Sequence, residues 1–439
     1  MKKKLFQNPP LFLIVLFLTG ILLGGAALKI PAATVTPIGW QDAFFTAVSA
    51  MTVTGLAVVD TGTVYTTFGQ TIIMILIQVG GLGIMTFAVV VFLMLGRKIG
   101  FKERLIIQQA LNQNAVGGII RLAIQLMIYS ILIELFAVML LSTVWVPEMG
   151  WKDGLFFSLF HAVSAFNNAG FGLLSDSLMS YVGNPMVNLV ISALFILGGI
   201  GFTVLVDLFR STSIRRWSLH TKLMVSGTLI INIFAMIYLF FNEFANPATL
   251  GGLTLDEKIW AAYFQAVSPR TAGFNSIDIA SMDDSSLLFI IILMFIGAGS
   301  ASTGGGIKLT TFIVILLATV AFFRRNTEIH MFDREIRQEI IFKSLAIAMS
   351  SVLFIIAALS IMTHTEDGAG FLPIVFETVS AFGTVGLSMG LTPDLSDMGK
   401  YVIMLVMFIG KVGPLTLFFS IAKPDYRKIK YPKADVLAG

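Results

Sequence analysis

The sequence predicts an all-α integral membrane protein with eight transmembrane helices and four shorter re-entrant helices arranged with four-fold pseudo-symmetry. Three observations carry this expectation. The 439 residues are 56% hydrophobic and only 12% charged, whereas soluble domains run near about 45–50% apolar and about 25% charged. Long apolar runs alternate with short ones along the chain. One short motif recurs four times.

A chain of this size with so little charge cannot cover a water-facing surface, so it belongs in lipid. It has no cysteine, which excludes a disulfide framework and a thiolate metal site. Its four histidines are scattered and do not suggest a zinc cluster. The distribution of charge says more than the net value of +4. One set of segments holds Lys2 to Lys4, Arg97, Lys98, Lys102, Arg104, Arg121, Arg210, Arg215, Arg216 and Lys222. The same set continues with Arg324, Arg325, Arg334, Arg337, Lys343 and the cluster from Lys423 to Lys433. The alternate loops hold Lys29, Lys152, Lys258, Arg270 and Lys400, together with acids such as Asp60, Glu148, Asp153, Asp256, Glu257, Glu366 and Asp394. The positive-inside rule makes the first set cytoplasmic. Both termini then lie inside, and the number of crossings is even. The same basic residues flank apolar runs and form no continuous stripe, which argues against nucleic-acid binding.

A cleaved signal peptide competes for Lys2 to Gly25. The run from Leu11 to Leu28 exceeds a typical signal core and offers no obvious cleavage site, so a retained first span is expected. A full crossing needs about 20 apolar residues, and 10–14 suggest a re-entrant segment. Long runs near 10–29, 69–96, 118–146, 186–209, 222–244, 286–322, 340–364 and 400–422 give the eight crossings. Shorter segments at 40–51, 153–166, 255–267 and 369–382 fall between the members of each pair, on the outer side. The order is span, half-helix, span, four times over. The implied repeats are 1–105, 106–217, 218–330 and 331–439.

The half-helices carry the motif. Phe45 to Leu56 reads FTAVSAMTVTGL, Phe160 to Phe171 reads FHAVSAFNNAGF, and Phe376 to Leu387 reads FETVSAFGTVGL. Phe264 to Phe274 reads FQAVSPRTAGF, one residue shorter. Four matches about 103–115 residues apart are an internal repeat. The crossing after each half-helix repeats as well, with Gly80-Gly81-Leu82-Gly83, Gly198-Gly199-Ile200-Gly201, Gly297-Ala298-Gly299 and Gly410-Lys411-Val412-Gly413. Outside the third repeat these glycines are read as close helix packing.

Non-helical backbone at membrane depth persists only where it lines protein or water. Its carbonyls are then free to act as ligands, and a glycine can turn successive carbonyls to one side. Four such loops around an axis stack rings of oxygen that replace the hydration shell of a cation. The candidate filter is Val53, Thr54 and Gly55; Asn168, Ala169 and Gly170; Thr271, Ala272 and Gly273; Thr384, Val385 and Gly386. The carbonyls of Thr54, Ala169, Ala272 and Val385 are the candidate ion ligands. No Asp or Glu ring is present in these motifs, which suits a monovalent cation.

The third repeat's second crossing contains Gly297-Ala298-Gly299-Ser300-Ala301-Ser302-Thr303-Gly304-Gly305-Gly306-Ile307-Lys308. Each glycine costs a helix about 1 kcal/mol relative to alanine, so this span is expected to break in mid-membrane below the filter. A mobile gate in Gly297, Gly299, Ser300, Ala301, Ser302, Thr303, Gly304, Gly305 and Gly306 follows. Lys411 lies at matching depth in repeat four, where an intramembrane cation is a functional candidate. It would repel ions or donate to the gate loop. Lys308 is nearer the cytoplasm, where snorkelling competes with function. Thr46, His161, Gln265 and Glu377 share one repeat position and are expected to hold the filter from behind. Glu134 and Asp207 are expected to pair with nearby arginines.

These motifs resemble, across essentially the whole chain, the Trk/Ktr/HKT superfamily of cation transporters. In that superfamily four span–pore-helix–span repeats build a single-chain, potassium-channel-like fold. The resemblance implies one filter glycine per repeat at Gly55, Gly170, Gly273 and Gly386; four glycines resemble the potassium-selective members. Larger Trk-type subunits carry two further spans. Four repeats filling the chain resemble instead the KtrB-type membrane subunit of bacterial Ktr systems. The broken span resembles the family's intramembrane loop. The family usually has Arg at the place of Lys411, and Lys lacks the planar fork for a bidentate contact. The resemblance further implies potassium as transported ion, sodium as a candidate activator, a homodimer with one pore per protomer, and residence in a bacterial cell membrane. It also implies a cytoplasmic ring of KtrA-type RCK subunits that bind ATP, ADP or NAD, with the tail from Lys423 to Gly439 as a candidate contact.

Other functions are weaker. Gly304 to Thr310 has the wrong spacing for a phosphate-binding loop, which argues against an ATP-driven pump. The polar residues do not converge on a catalytic dyad or metal cluster, so no enzyme is expected. A secondary transporter of an organic solute also uses broken helices, but in inverted halves. Here the repeats run the same way and one crossing is expected to be broken. Sodium selectivity on the same fold is the remaining rival.

Overall fold

The computed structural model describes residues 9–83, 119–211, 213–326 and 328–414. The basic residues at 2–4, 97–104 and 423–433, the inner part of the 69–96 run, the end of the 400–422 run and the 105/106 repeat boundary lie outside the described residues.

Four short helices occupy the repeat motifs: Trp40–Thr52, Trp151–Phe166, Leu255–Val267 and Phe371–Gly383. Their length follows from the chain chemistry at each end. The third starts on a box in which Glu257 Oε2 accepts from Thr254 N at 2.9 Å, the reciprocal contact that satisfies orphan donors at a helix start. The first and fourth end where Val53 and Thr384 take left-handed conformations. The motif phenylalanines Phe45, Phe160, Phe264 and Phe376 are all 0% exposed and anchor the half-helices in the core.

Longer helices surround them. Ala123–Met149, Leu219–Glu243 and Gln338–Thr365 are each long and apolar enough to cross a bilayer. Pro9–Leu28, Thr67–Leu82, Pro185–Gly199, Asp284–Phe295 and Asp397–Val412 also pack against the half-helices, and Leu309–Phe323 packs against Leu219–Glu243 and Gln338–Thr365. Leu132, Leu135, Phe136, Met139, Ile230, Ile233, Phe234, Leu353 and Ile356 point outward and are exposed. Apolar side chains on the outside are what a lipid-facing helix requires, since its backbone bonds are already satisfied internally.

Two expectations are corrected. The 186–209 run is not one straight helix: Pro185–Gly199 and Phe202–Arg210 meet at 101°, because Gly201 takes φ +106° and ends the first helix. The chain is not purely helical: His330–Met331 and Arg334–Glu335 pair antiparallel, and the expected 330/331 boundary falls in this hairpin. Among the described residues three helices, or four if the bent pair is one span, are long and apolar enough to cross a membrane.

The first and last repeats meet directly. Lys400 Nζ lies 3.0 Å from Asp42 Oδ1, and Gln41 Nε2 donates to Asp397 O at 2.7 Å. The four half-helices thus stand around a common centre, with their C-terminal ends converging.

Candidate functional site

At that centre the four loops after the half-helices share one backbone conformation. Val53, Asn168, Thr271 and Thr384, two residues before each motif glycine, have φ of +52°, +58°, +71° and +49°. The glycines themselves have φ of +92°, +68°, +77° and +93°. The shorter third motif therefore loses its residue from the helix end and keeps the loop. Non-glycine residues in this region cost on the order of 1–3 kcal/mol each and persist only where surroundings over-determine them. All four are 0% exposed.

The glycines close a ring. A Cβ on Gly55 would collide with Ala169 O, one on Gly273 with Val385 O, and one on Gly386 with Thr54 O. A Cβ on Gly170 would lie 3.1 Å from Ala272 O and 2.9 Å from Gly273 Cα. Each glycine thus abuts the preceding-residue carbonyl of the next repeat, in the cyclic order one, two, three, four, one. Such a ring of oxygens can stand in for water around a monovalent cation.

A motif serine holds each loop, a role the sequence reading missed although serine recurs in all four motifs. Gly55 N donates to Ser49 Oγ and Gly386 N to Ser380 Oγ, both at 3.1 Å. Ser164 Oγ donates to Phe171 O at 2.7 Å, and Ser268 Oγ donates to Phe274 O. The quartet expected behind the loops is brought close in three repeats. Thr46 Oγ1 accepts from Tyr65 OH at 2.9 Å. His161 Nε2 accepts from Leu173 N at 3.4 Å. Glu377 Oε2 accepts from Thr392 Oγ1 at 3.0 Å, and Oε1 from Ser388 Oγ.

Gln265 differs: it is 0% exposed, and neither amide atom has a hydrogen-bond partner among the described residues. An unpaired buried amide costs about 1–3 kcal/mol. Gln265→Met is therefore expected to raise the thermal midpoint of the purified chain in detergent by a few degrees with uptake retained. A lower midpoint would mean that the amide holds something polar behind the loop.

Beneath the ring the third repeat's crossing is broken, between Phe295 and Leu309. Its two ends are held together by a parallel bridge between Ile296 and Ile307. The intervening segment touches the left-handed residues of three repeats. Thr303 Oγ1 donates to Asn168 Oδ1 at 2.7 Å, and Gly305 N donates to Thr384 Oγ1 at 2.8 Å. A Cβ on Gly304 would meet Thr271 Cβ at 2.9 Å. Lys411 Nζ donates to Thr303 O. Lys308 does not snorkel: its Nζ donates to Gly304 O at 2.6 Å. Neighbouring backbone anchors the segment's outer edge, with Gly299 N on Gly199 O and Phe202 N on Ala301 O, both at 2.8 Å.

Other placements are corrections. The expectation of one broken crossing fails in the second repeat, where two helices meet at 101° around Gly201, φ +106°; Gly83 and Gly413, with φ of +83° and +87°, cap the helices before them. The leading glycines are packing sites, since a Cβ on Gly80, Gly198 or Gly410 would strike Met51 O, Phe166 O or Phe382 O, and Gly81 is another, where a Cβ would strike the Asn167 side chain. Glu134 pairs with no described arginine; Gln78 Nε2 donates to its two oxygens at 3.0 and 3.1 Å. Asp207 feels the charge of nearby Arg210 and also caps a helix start, with Oδ2 accepting from Ser218 N at 2.9 Å and Thr221 Oγ1 at 2.6 Å. Arg270 is not in an outer loop: it is 8% exposed, just past half-helix three.

The family profile described as TrkH, cation transport protein, matches residues 24–431. The chain is 56% identical over 432 residues to "Ktr system potassium uptake protein B" of Bacillus subtilis, covering 98% of this chain and 97% of that one. It is 43% identical to the protein of the same name from Vibrio alginolyticus, covering 97% and 94%. It is 38% identical to "Potassium/sodium uptake protein NtpJ" of Enterococcus hirae, covering 100% and 99%. Its fold matches the potassium transporter TrkH of Vibrio parahaemolyticus with a TM-score of 0.73, covering 92% of this chain and 84% of that one at 20% identity. The ring of four repeated loops is therefore that of a chain that belongs to the TrkH family of cation transport proteins.

Proposed function

We propose that this chain takes potassium up across a bacterial cell membrane as the ion-translocating subunit of a Ktr-type system. The closed cycle of glycines and carbonyls carries the reading, because four like loops with no acidic side chain in the ring suit a dehydrated monovalent cation. The names of the two Ktr relatives support potassium as the ion. Ions enter from outside, shed water at the carbonyls of Thr54, Ala169, Ala272 and Val385, and meet the 297–306 segment below. That segment is the gate, held shut by Lys411 and Lys308 on its carbonyls. The chain crosses the membrane eight times in four repeats with both termini cytoplasmic. It works as a homodimer docked on a KtrA-type nucleotide-binding RCK ring.

A sodium role is the second reading, favoured by the name of the Enterococcus relative, either as activator or as transported ion. Rubidium and sodium uptake into liposomes holding the purified chain tests both. Rubidium uptake that potassium blocks and sodium does not is the expected result. Sodium uptake of equal rate would move the assignment to sodium, and absence of any monovalent flux, with or without a regulatory ring, would overturn the pore.

A further inference from the structure

Arg270 is a guanidinium placed directly behind the third loop, and no role assigned above uses it. Its Nη1 donates to Asn232 Oδ1 at 3.2 Å and its Nη2 to Thr228 Oγ1 at 3.4 Å, both neutral groups. Its Nε has no hydrogen-bond partner among the described residues. The ion pairs among those residues are His330–Glu328 and Lys400–Asp42, so no described carboxylate neutralises it. The buried carboxylates nearest in role are occupied elsewhere, Glu134 by Gln78 and Asn167 and Glu377 by Ser388 and Thr392. The side chain is 8% exposed and borders a small cavity whose other walls include Phe195, Ile196, Val267 and Ala298.

The position breaks the four-fold pattern. Counting back from the ring glycine, Arg270 corresponds to Thr52, Asn167 and Gly383, none of them charged. Arg270 is bonded to Thr271, one of the four left-handed residues that set the ring. We infer that Arg270 is a positioning charge that weakens cation binding at the ring from behind, so that ions bind loosely enough to leave. The inference rests on the potassium-filter reading above. One intervening residue and the reach of an extended arginine limit the distance from charge to ring to roughly 10–15 Å. At an effective dielectric of about 20 that distance changes monovalent cation binding by about five- to fifteenfold.

Electrostatic action has a signature that loss of packing lacks. A potential acts in proportion to charge, so a divalent cation of similar size must feel twice the energy and the square of the fold-change. The half-saturating potassium concentration for uptake and the blocking constant of barium are measured in liposomes for five chains. Arg270→Gln removes the charge; Asn232→Asp neutralises it in place. Both are expected to lower the potassium constant about five- to fifteenfold and the barium constant by the square of that factor. Arg270→Lys and Thr228→Val keep the charge and are expected to keep both constants. Equal shifts for the two cations, no shift in Asn232→Asp, or a shift of the same size in Thr228→Val would overturn the inference while leaving potassium uptake standing. Absence of potassium-sensitive uptake in the unmodified chain would overturn the filter reading itself.

Discussion

Gly273→Ser is expected to lower the preference for potassium over sodium by about 10–100-fold, equivalent to about 1.4–2.8 kcal/mol of ion coordination. Two effects coincide at this residue. Its φ of +77° is one that a side-chain-bearing residue adopts only at a cost of roughly 1–2 kcal/mol. Its new Cβ would press on Val385 O and sit 2.9 Å from Gly170 Cα, so one carbonyl of the ring must move. On the filter reading proposed above, a displaced oxygen leaves the ion under-coordinated, and the loss falls hardest on the ion that fits the intact ring. Competition of potassium and sodium against rubidium uptake measures it. Wild-type competition in a folded Gly273→Ser chain would show that ring closure does not set selectivity.

Removal of residues 300–305 is expected to raise the initial rate of rubidium uptake at least about tenfold, the change produced by lowering a barrier by about 1.4 kcal/mol. The deletion takes away Thr303, Gly304 and Gly305, which hold the segment against Asn168, Thr271 and Thr384. It also takes the carbonyls that Lys411 and Lys308 grip. The flanking helices are not pulled apart, because Ile296 and Ile307 are already bridged and Leu309 N bonds Ala298 O at 3.1 Å. An unchanged rate in a deletion chain that still unfolds cooperatively would count against a gate at this place.

The half-helices were legible because the repeat signals them directly. The expected 255–267 is the observed Leu255–Val267, and the other three ends fall within two residues. The left-handed pair in each loop was legible only in half. Glycine advertises a positive φ, but Val53 and Thr384 do not, and only their shared position reveals it. The helix break at Gly201 was hidden because a glycine that packs and one that bends read alike. Gly198 does the first and Gly201 the second within four residues.

Charge counting misplaced Arg270 because it weighs which side of the membrane a residue lies on and not how deep it sits. Glu134 went astray for a related reason. A carboxylate in lipid needs donors, and backbone N–H groups, hydroxyls and amides serve as well as arginines. The hairpin at 330–335 has two residues in each strand, too few for any periodicity.

The contact between Lys400 and Asp42 joins residues 358 positions apart. Insertion of the nascent chain therefore places three of the four loops before the ring can close. Until Gly386 is made, the Thr54 carbonyl lacks the glycine that abuts it in the finished ring. Closure of the ring is therefore a late event in the making of the chain, since its last glycine, Gly386, lies 331 residues after its first, Gly55.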